Sequence, residues 1–274
     1  MLYKIAFVNG KGGVGKTTGI FQVAGVLSSM GEKVLVVDLD KQRNATSTLM
    51  MNNLDSMPGM TAFDVLMGRC RPADATAEAM WRSRGNANPK YYGTSCMVGD
   101  LRFEDVTLYK DVAQKGAGFG KVLDEFAEGE GFRFMLVDMP PSNAVLNNLC
   151  FAHVVDHIIV PFTSDVYSVQ GYGDIMDTVA SARALNPELN VLGIYLSRYG
   201  TSSVQAWVHS KLQEFGDIFI DVQIPQATDI IECAVVGSPI SYYRNTEKSR
   251  SRRAYERLVD EMLRRLSYKK EGAV

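Results

Sequence analysis

Short, continuously apolar runs alternate along this chain with longer stretches whose apolar positions recur at helical spacing. The apolar runs are Tyr3–Val8, Lys33–Asp38, Phe132–Asp138, His157–Val160 and Val191–Leu196. None shows the strict apolar–polar alternation of a half-exposed strand, which is the pattern of strands covered on both faces. Helical patterns fall between them, over Lys16–Met30, Ala144–Ala152, Val169–Leu185 and Ser202–Phe215. This alternation predicts an α/β fold, a mostly parallel twisted sheet flanked by helices on both faces and joined by right-handed crossovers.

The stretch 52–131 is less regular. Helical fragments are expected over Thr61–Met67, Ala73–Trp81 and Gly120–Glu128, and a strand over Ser95–Leu101. Gly85–Pro89 and Lys115–Gly120 read as loops because glycine, asparagine and proline punctuate them. No internal repeat or linker-like tract divides the chain, so residues 1–274 are expected to form one domain with 52–131 as its variable part.

Composition narrows the picture little: 46% of the 274 residues are hydrophobic and 22% charged, ordinary globular values. A net charge of −2 argues against a chain that is basic throughout, so any nucleic-acid contact must come from a local patch. Cys70, Cys96, Cys150 and Cys233 have no C-x-x-C spacing and read as reduced thiols of a cytoplasmic protein. The first residues read as a strand and not as a signal peptide. No apolar run approaches the roughly 20 residues that cross a bilayer, so no membrane association is expected.

The first strand runs into Gly10-Lys-Gly-Gly-Val-Gly15-Lys16-Thr17, which satisfies G-x-x-x-x-G-K-[ST] in its required setting, strand before and helix after. In such a P-loop the backbone N–H groups of Gly12, Gly13, Val14 and Gly15 turn onto phosphate oxygens at the positive end of a helix. Lys16 then reaches the β/γ-phosphates, Thr17 offers its hydroxyl to Mg²⁺, and Thr18 bonds on the α-phosphate side. The cofactors implied are ATP and Mg²⁺. Lys11 is a second lysine in the loop. It reads either as a solvated surface residue or as a charge delivered to a phosphate on another copy of the chain. Asp38 and Asp40 end the second strand, where ligands gather in a doubly wound sheet.

The loop and four later segments resemble the ParA/MinD family of deviant Walker A ATPases, and the resemblance lies closest to its ParA branch. Val36–Ala45 is similar to the family's D-x-D-x-Q-x-N segment, and Met135–Ser142 to its Walker B strand ending in D-x-P-P. Asp156–Pro161 with Ser168–Gly171, and Ile224–Pro225 with Gly237–Ile240, resemble its later motifs. Two positions depart from the pattern: Lys41 stands where proline is usual, and Met139 where threonine is usual.

The resemblance implies a P-loop NTPase that hydrolyses ATP slowly and pairs face to face with ATP bound. Asp40 then orients the attacking water, Asp38 supports the Mg²⁺ shell, and Asp138 holds the water around Mg²⁺. Lys11 crosses the dimer interface, and Pro225 lies in the adenine region with Ser197–Tyr199 and Ile224–Thr228. The job implied is segregation of a plasmid, chromosome or mobile element, with a centromere-binding ParB-like partner. The alternative is a MinD-like or cargo-positioning ATPase acting on a membrane or protein.

The stretch 244–270 holds ten Lys or Arg against four Asp or Glu, an excess of six positive charges in a chain of net −2. It reads as a basic C-terminal helix whose Leu258, Val259, Met262, Leu263 and Leu266 form a core-facing stripe. Its charges read either as a solvated helix face or as a surface for the DNA backbone, with Lys248, Arg250, Arg252 and Arg253 the candidate contacts, without sequence preference and weakened by salt. The resemblance to the ParA branch implies that the ATP-bound protein lies on the nucleoid.

Overall fold

The computed structural model describes the chain apart from residues 84–85, 105–108, 142, 164–165, 201–202, 244–248 and 270–274, and apart from the side chains of 87, 109–111, 113, 166–172 and 174. In chain order its strands are β1 Tyr3–Phe7, β2 Val34–Asp38, β3 Thr76–Ser83, β4 Asn86–Met97, β5 Phe134–Asp138, β6 His157–Phe162, β7 Asn190–Tyr199 and β8 Phe219–Pro225. Its α-helices are α1 Lys16–Ser29, α2 Asn44–Leu49, α3 Ala62–Leu66, α4 Tyr109–Gly129, α5 Ala144–His153, α6 Val166–Ala182, α7 Ser203–Gln213, α8 Thr228–Val236 and α9 Arg250–Arg265.

The strands form one sheet in the order β3-β4-β2-β5-β1-β6-β7-β8. All neighbours pair in parallel except β3 and β4. Successive residues of the inner strands feed two separate cores, because side chains alternate across a sheet. Ala6, Leu35, Val37, Met135 and Val137 pack under α3–α7, whereas Ile5, Phe7, Val34, Val36, Phe134 and Leu136 pack under α1, α2, α8 and α9. Apolar residues therefore fill β2 and β5 up to their terminal aspartates, and β1 apart from Lys4, which pairs with Asp124 and Asp156; all five anticipated strands form.

Four expectations for 52–131 are corrected. Ala73–Trp81 is not a helix: a short 3₁₀ turn at Pro72–Ala75 leads into β3, which places Ala79 and Trp81 in the core. The alanine-rich sequence favours a helix locally, but pairing with β4 and burial of Trp81 override that weak preference. The strand expected over Ser95–Leu101 begins earlier, at Asn86, so much of the expected 85–89 loop is strand, and Leu101–Glu104 forms a 3₁₀ turn.

Lys115–Gly120 is not a loop but the middle of α4. A Cβ on Gly120 would lie 1.9 Å from the His153 carbonyl oxygen, and one on Gly116 2.9 Å from Leu149. These glycines let α4 and α5 approach closely.

The core-facing stripe of α9 forms as expected, with Leu258, Val259, Met262 and Leu263 buried and Leu266 packed partly against them. Among the described residues no helix is long and apolar enough to cross a membrane. All four cysteines are free thiols.

Candidate functional site

A cleft of about 940 Å³ opens at the carboxyl ends of the central strands. The loop between β1 and α1 forms one wall. Gly13 and Gly15 adopt left-handed backbone angles, φ +75° and +95°, which other residues reach only under strain. At Gly15 a Cβ would also meet the Ser197 hydroxyl at 2.5 Å. Helix α1 starts without any side-chain cap, so its first N–H groups remain available to an anion. Val14 is buried beneath the loop, while Gly12, Gly13, Gly15, Lys16, Thr17 and Thr18 line the cleft.

Lys16 is 6% exposed, and its Nζ donates to the carbonyls of Asn9 (3.1 Å) and Lys11 (3.2 Å). Burial lowers its pKa, with Asp138 and Asp40 pulling the other way. Asn9 ties the loop to the sheet: its amide donates to the Pro161 carbonyl at 2.8 Å, and its side-chain oxygen accepts from the Lys11 N–H at 2.9 Å. Lys11 itself is exposed and stands outside the cleft lining.

Three carboxylates meet where β2 and β5 end side by side, with Asp38 and Asp138 in register. Asp40 lines the cleft, and its carboxylate accepts from the Gln42 N–H at 2.9 Å. Asp38 is fully buried behind it. One Asp38 oxygen accepts from the Thr46 N–H (2.8 Å) and hydroxyl (2.7 Å), the other from the Asp40 N–H (3.1 Å). Burial pushes the Asp38 carboxyl up to about 6 despite these bonds. Burial also raises Asp138, and the charges of Asp38 and Asp40 add to the rise.

Asp138 Oδ2 accepts from the Thr17 hydroxyl at 2.7 Å, whereas its buried Oδ1 has no hydrogen-bond partner. A buried carboxylate oxygen without a donor, beside a threonine hydroxyl and a second buried carboxylate, suits a hydrated divalent cation. Among the described residues no three His, Cys, Asp or Glu form a closed metal cage. Mg²⁺ needs none, since it keeps several waters and takes few protein ligands.

The opposite wall is mostly apolar. Ile224, Pro225, Ala227, Ile230 and Tyr255 line it, and Ser197 and Arg198 join it to the phosphate loop. Arg198 donates to the Gly13 carbonyl at 2.8 Å. Sequence reading anticipated the strand-end segments here but missed Tyr255, which α9 supplies from the far end of the chain. It also missed Thr46 and Asn143. Thr46 lies one residue past the motif segment Val36–Ala45, and Asn143 sits at the start of the helix after Pro140-Pro141.

The basic stretch is only partly described. Arg250 and Arg253 are exposed, while Arg252 donates to Glu256 at 2.7 Å. Lys248 lies outside the described residues. Arg264 and Arg265 both bond Glu261, and Arg265 also donates to the Leu192 carbonyl at 2.9 Å. Part of the positive charge of α9 is therefore neutralised on the helix itself or used to hold it against β7.

The AAA domain family model matches residues 2–191. The chromosome-partitioning ATPase Soj of Thermus thermophilus is 30% identical over 96% of both chains. The chromosome partitioning protein ParA of Caulobacter vibrioides is 27% identical, covering 95% of this chain and 94% of its own. Among solved structures, cobyrinic acid a,c-diamide synthase from Mycobacterium smegmatis, with ADP and magnesium bound, superposes with a TM-score of 0.75. It is 22% identical over 97% of this chain and 96% of its own, a likeness of fold.

Proposed function

The chain belongs to the ParA/MinD family of deviant Walker A ATPases, and on that premise we propose that it is a partition ATPase whose ATP-bound dimer holds DNA and whose hydrolysis releases it. It is an ATP hydrolase, and Mg²⁺ is its metal, as structures of the same fold hold magnesium beside ADP or an ATP analogue. The observation that carries the reading is the convergence of Lys16, Asp40 and the Thr17–Asp138 bond at one strand-end cleft.

Phosphoryl transfer to water depends on positioning and charge stabilisation. The uncapped start of α1 and the N–H groups of residues 12–16 cradle the phosphates. Lys16 exchanges its two carbonyl partners for β- and γ-phosphate oxygens. The Thr17 hydroxyl and Asp138 would hold a hydrated Mg²⁺, which would supply positive charge to the phosphates. Asp38 supports them from behind: it fixes the Asp40 N–H and anchors Thr46. Asp40, the carboxylate that lines the cleft, orients the attacking water. Pro225 and its apolar neighbours take the base. Lys11, exposed on the outer side of the loop, serves the nucleotide of a second copy.

The DNA surface is assigned to Arg250 and Arg253 at the start of α9, with Lys248 beside them in sequence. Such contacts to the phosphate backbone carry no sequence preference and weaken steeply with salt. A centromere-binding ParB-like protein, acting on the dimer, is the expected stimulus for turnover.

The experiment is binding to nonspecific duplex DNA with Mg²⁺ and either ADP or a slowly hydrolysed ATP analogue, across a salt series. Binding with the analogue alone, declining as salt rises, is expected. Absence of binding in both states removes DNA as the matrix.

A further inference from the structure

Lys41 and Glu104 both line the cleft, and they form an ion pair through Lys41 Nζ and Glu104 Oε1. From this contact we propose that Glu104 and Lys41 are positioning residues for hydrolysis: their ion pair holds the turn that carries Asp40. The inference rests on the reading of Asp40 as the group that orients water.

The turn is lightly restrained from within. Its own bonds run from the Gln42 N–H to the Asp40 carboxylate and from the Arg43 N–H to the Asp40 carbonyl, each at 2.9 Å. Arg43 then adopts φ +53°, a left-handed conformation unfavourable for a side chain of that size. Helix α2 follows directly; Arg43 offers its start no side-chain cap, and Asp38 holds its first turn only further on, through the Thr46 N–H and hydroxyl. Proline at position 41 would hold such a turn through its ring. Lysine has no such ring, and Asp38 holds the chain only at Asp40 and Thr46, so restraint of the residues between them comes from contacts such as the one to Glu104.

Glu104 stands on a firmer base. The 3₁₀ turn Leu101–Glu104 is pinned by Arg102, whose guanidinium bonds Asp100 at 3.0 Å and Asp64 at 2.7 Å. The same guanidinium lies over the Phe63 ring, 4.6 Å from its centroid. Phe103 is buried edge-on against Phe63 at 5.5 Å, and its carbonyl accepts from Asn143, the N-cap of α5, at 3.5 Å. The ion pair thus ties a marginal turn after β2 to a buttressed turn after β4 and, through Asn143, to the helix that follows Asp138.

The pair is exposed, 38% at Lys41 and 67% at Glu104, so its effect is modest. Exposed pairs of this kind shift a local equilibrium by about two- to fivefold.

The test uses the full chain with Glu104→Gln, Lys41→Ala and Lys41→Pro, and two readouts: ATP turnover, and hydrogen exchange at the Gln42 and Arg43 amides without nucleotide. Glu104→Gln and Lys41→Ala should each lower kcat about two- to fivefold, with KM for ATP moving less than twofold, and should speed exchange at both amides. Lys41→Pro should recover most of the loss in both readouts. Unchanged exchange in Glu104→Gln overturns the restraint itself. Faster exchange with unchanged kcat overturns the positioning role of the pair, and phosphate release by Asp40→Ala tells separately whether Asp40 acts in hydrolysis. A Lys41→Pro variant as slow as Lys41→Ala overturns it as well, since the missing element would then be the charge and not the turn.

Discussion

Thr17 donates its hydroxyl hydrogen bond to Asp138 at 2.7 Å across 121 residues of sequence. It joins the first turn of α1 to the end of β5. The second Asp138 oxygen is left buried and unpartnered, facing the same surroundings as Asp38. Without a cation this corner is a store of unfavourable buried charge, and that sets the first prediction.

Asp138→Asn should raise the stability of the nucleotide-free protein while cutting ATP turnover at least tenfold. The amide keeps the size of the carboxylate and removes its desolvation cost, a gain of about 1 kcal/mol or roughly 2–4 °C in Tm. Thermal unfolding and a phosphate-release assay on the same preparation check the opposite signs.

Lys16 and Lys11 should separate cleanly. Lys16→Ala removes the cation at the phosphates and should abolish ATP binding by calorimetry. Lys11→Ala should bind ATP with near-normal affinity yet neither dimerise nor hydrolyse it. Ordinary turnover in that variant would return Lys11 to the role of a solvated surface residue.

Asp40→Ala should bind ATP and accumulate as the dimer, with turnover lowered on the order of a hundredfold. Light scattering with ATP reads the dimer, and phosphate release reads the turnover. Unchanged release would take Asp40 out of the reaction.

Gly120→Ala should destabilise the fold although alanine favours helices. Its Cβ would lie 1.9 Å from the His153 carbonyl oxygen, and backbone cannot yield as a flexible side chain does. A loss of about 1–3 kcal/mol is expected in chemical denaturation. Gly118→Ala, whose Cβ would meet nothing within 4 Å, should be neutral or slightly stabilising.

Glu261 supplies the pH dependence. Hydrogen bonds from Arg264 and then Arg265, working against burial, hold its carboxyl down at about 2. The unfolded chain, with an ordinary carboxyl near 4.5, therefore binds more protons than the folded one between these values. The stabilisation is present above about pH 4.5 and is lost as pH falls towards 2. Glu261→Gln should cost roughly 1 kcal/mol at pH 7 and make the loss of stability between pH 5 and 2 shallower, measured by denaturant titration at each pH.

The phosphate loop was legible because its chemistry is local. A strand, eight residues that include two left-handed glycines, and a lysine–threonine pair opening a helix lie within one short segment. The parallel strands were legible for a related reason: coverage on both faces forces an unbroken apolar run. Asp38, Asp40 and Asp138 could be marked because strand ends converge in any such sheet.

Within that set of carboxylates, only tertiary structure decided which one faces the cleft. Asp40 reaches the cleft while Asp38 spends its oxygens on Thr46 and the Asp40 amide. Nothing in the spacing distinguishes them, because the difference depends on α2 folding back against the strand end. Trp81 and Ala79 likewise became strand only because β4 was there to pair with them, and the glycines of α4 became helix because α5 needed the room. Tyr255 joined the cleft wall from α9, and Lys41 found Glu104 across 63 residues. The sequence alone determined elements whose cause lies within a turn or two of chain. Contacts between distant segments decided the rest, since burial and pairing there outweigh local preferences of a fraction of a kcal/mol per residue.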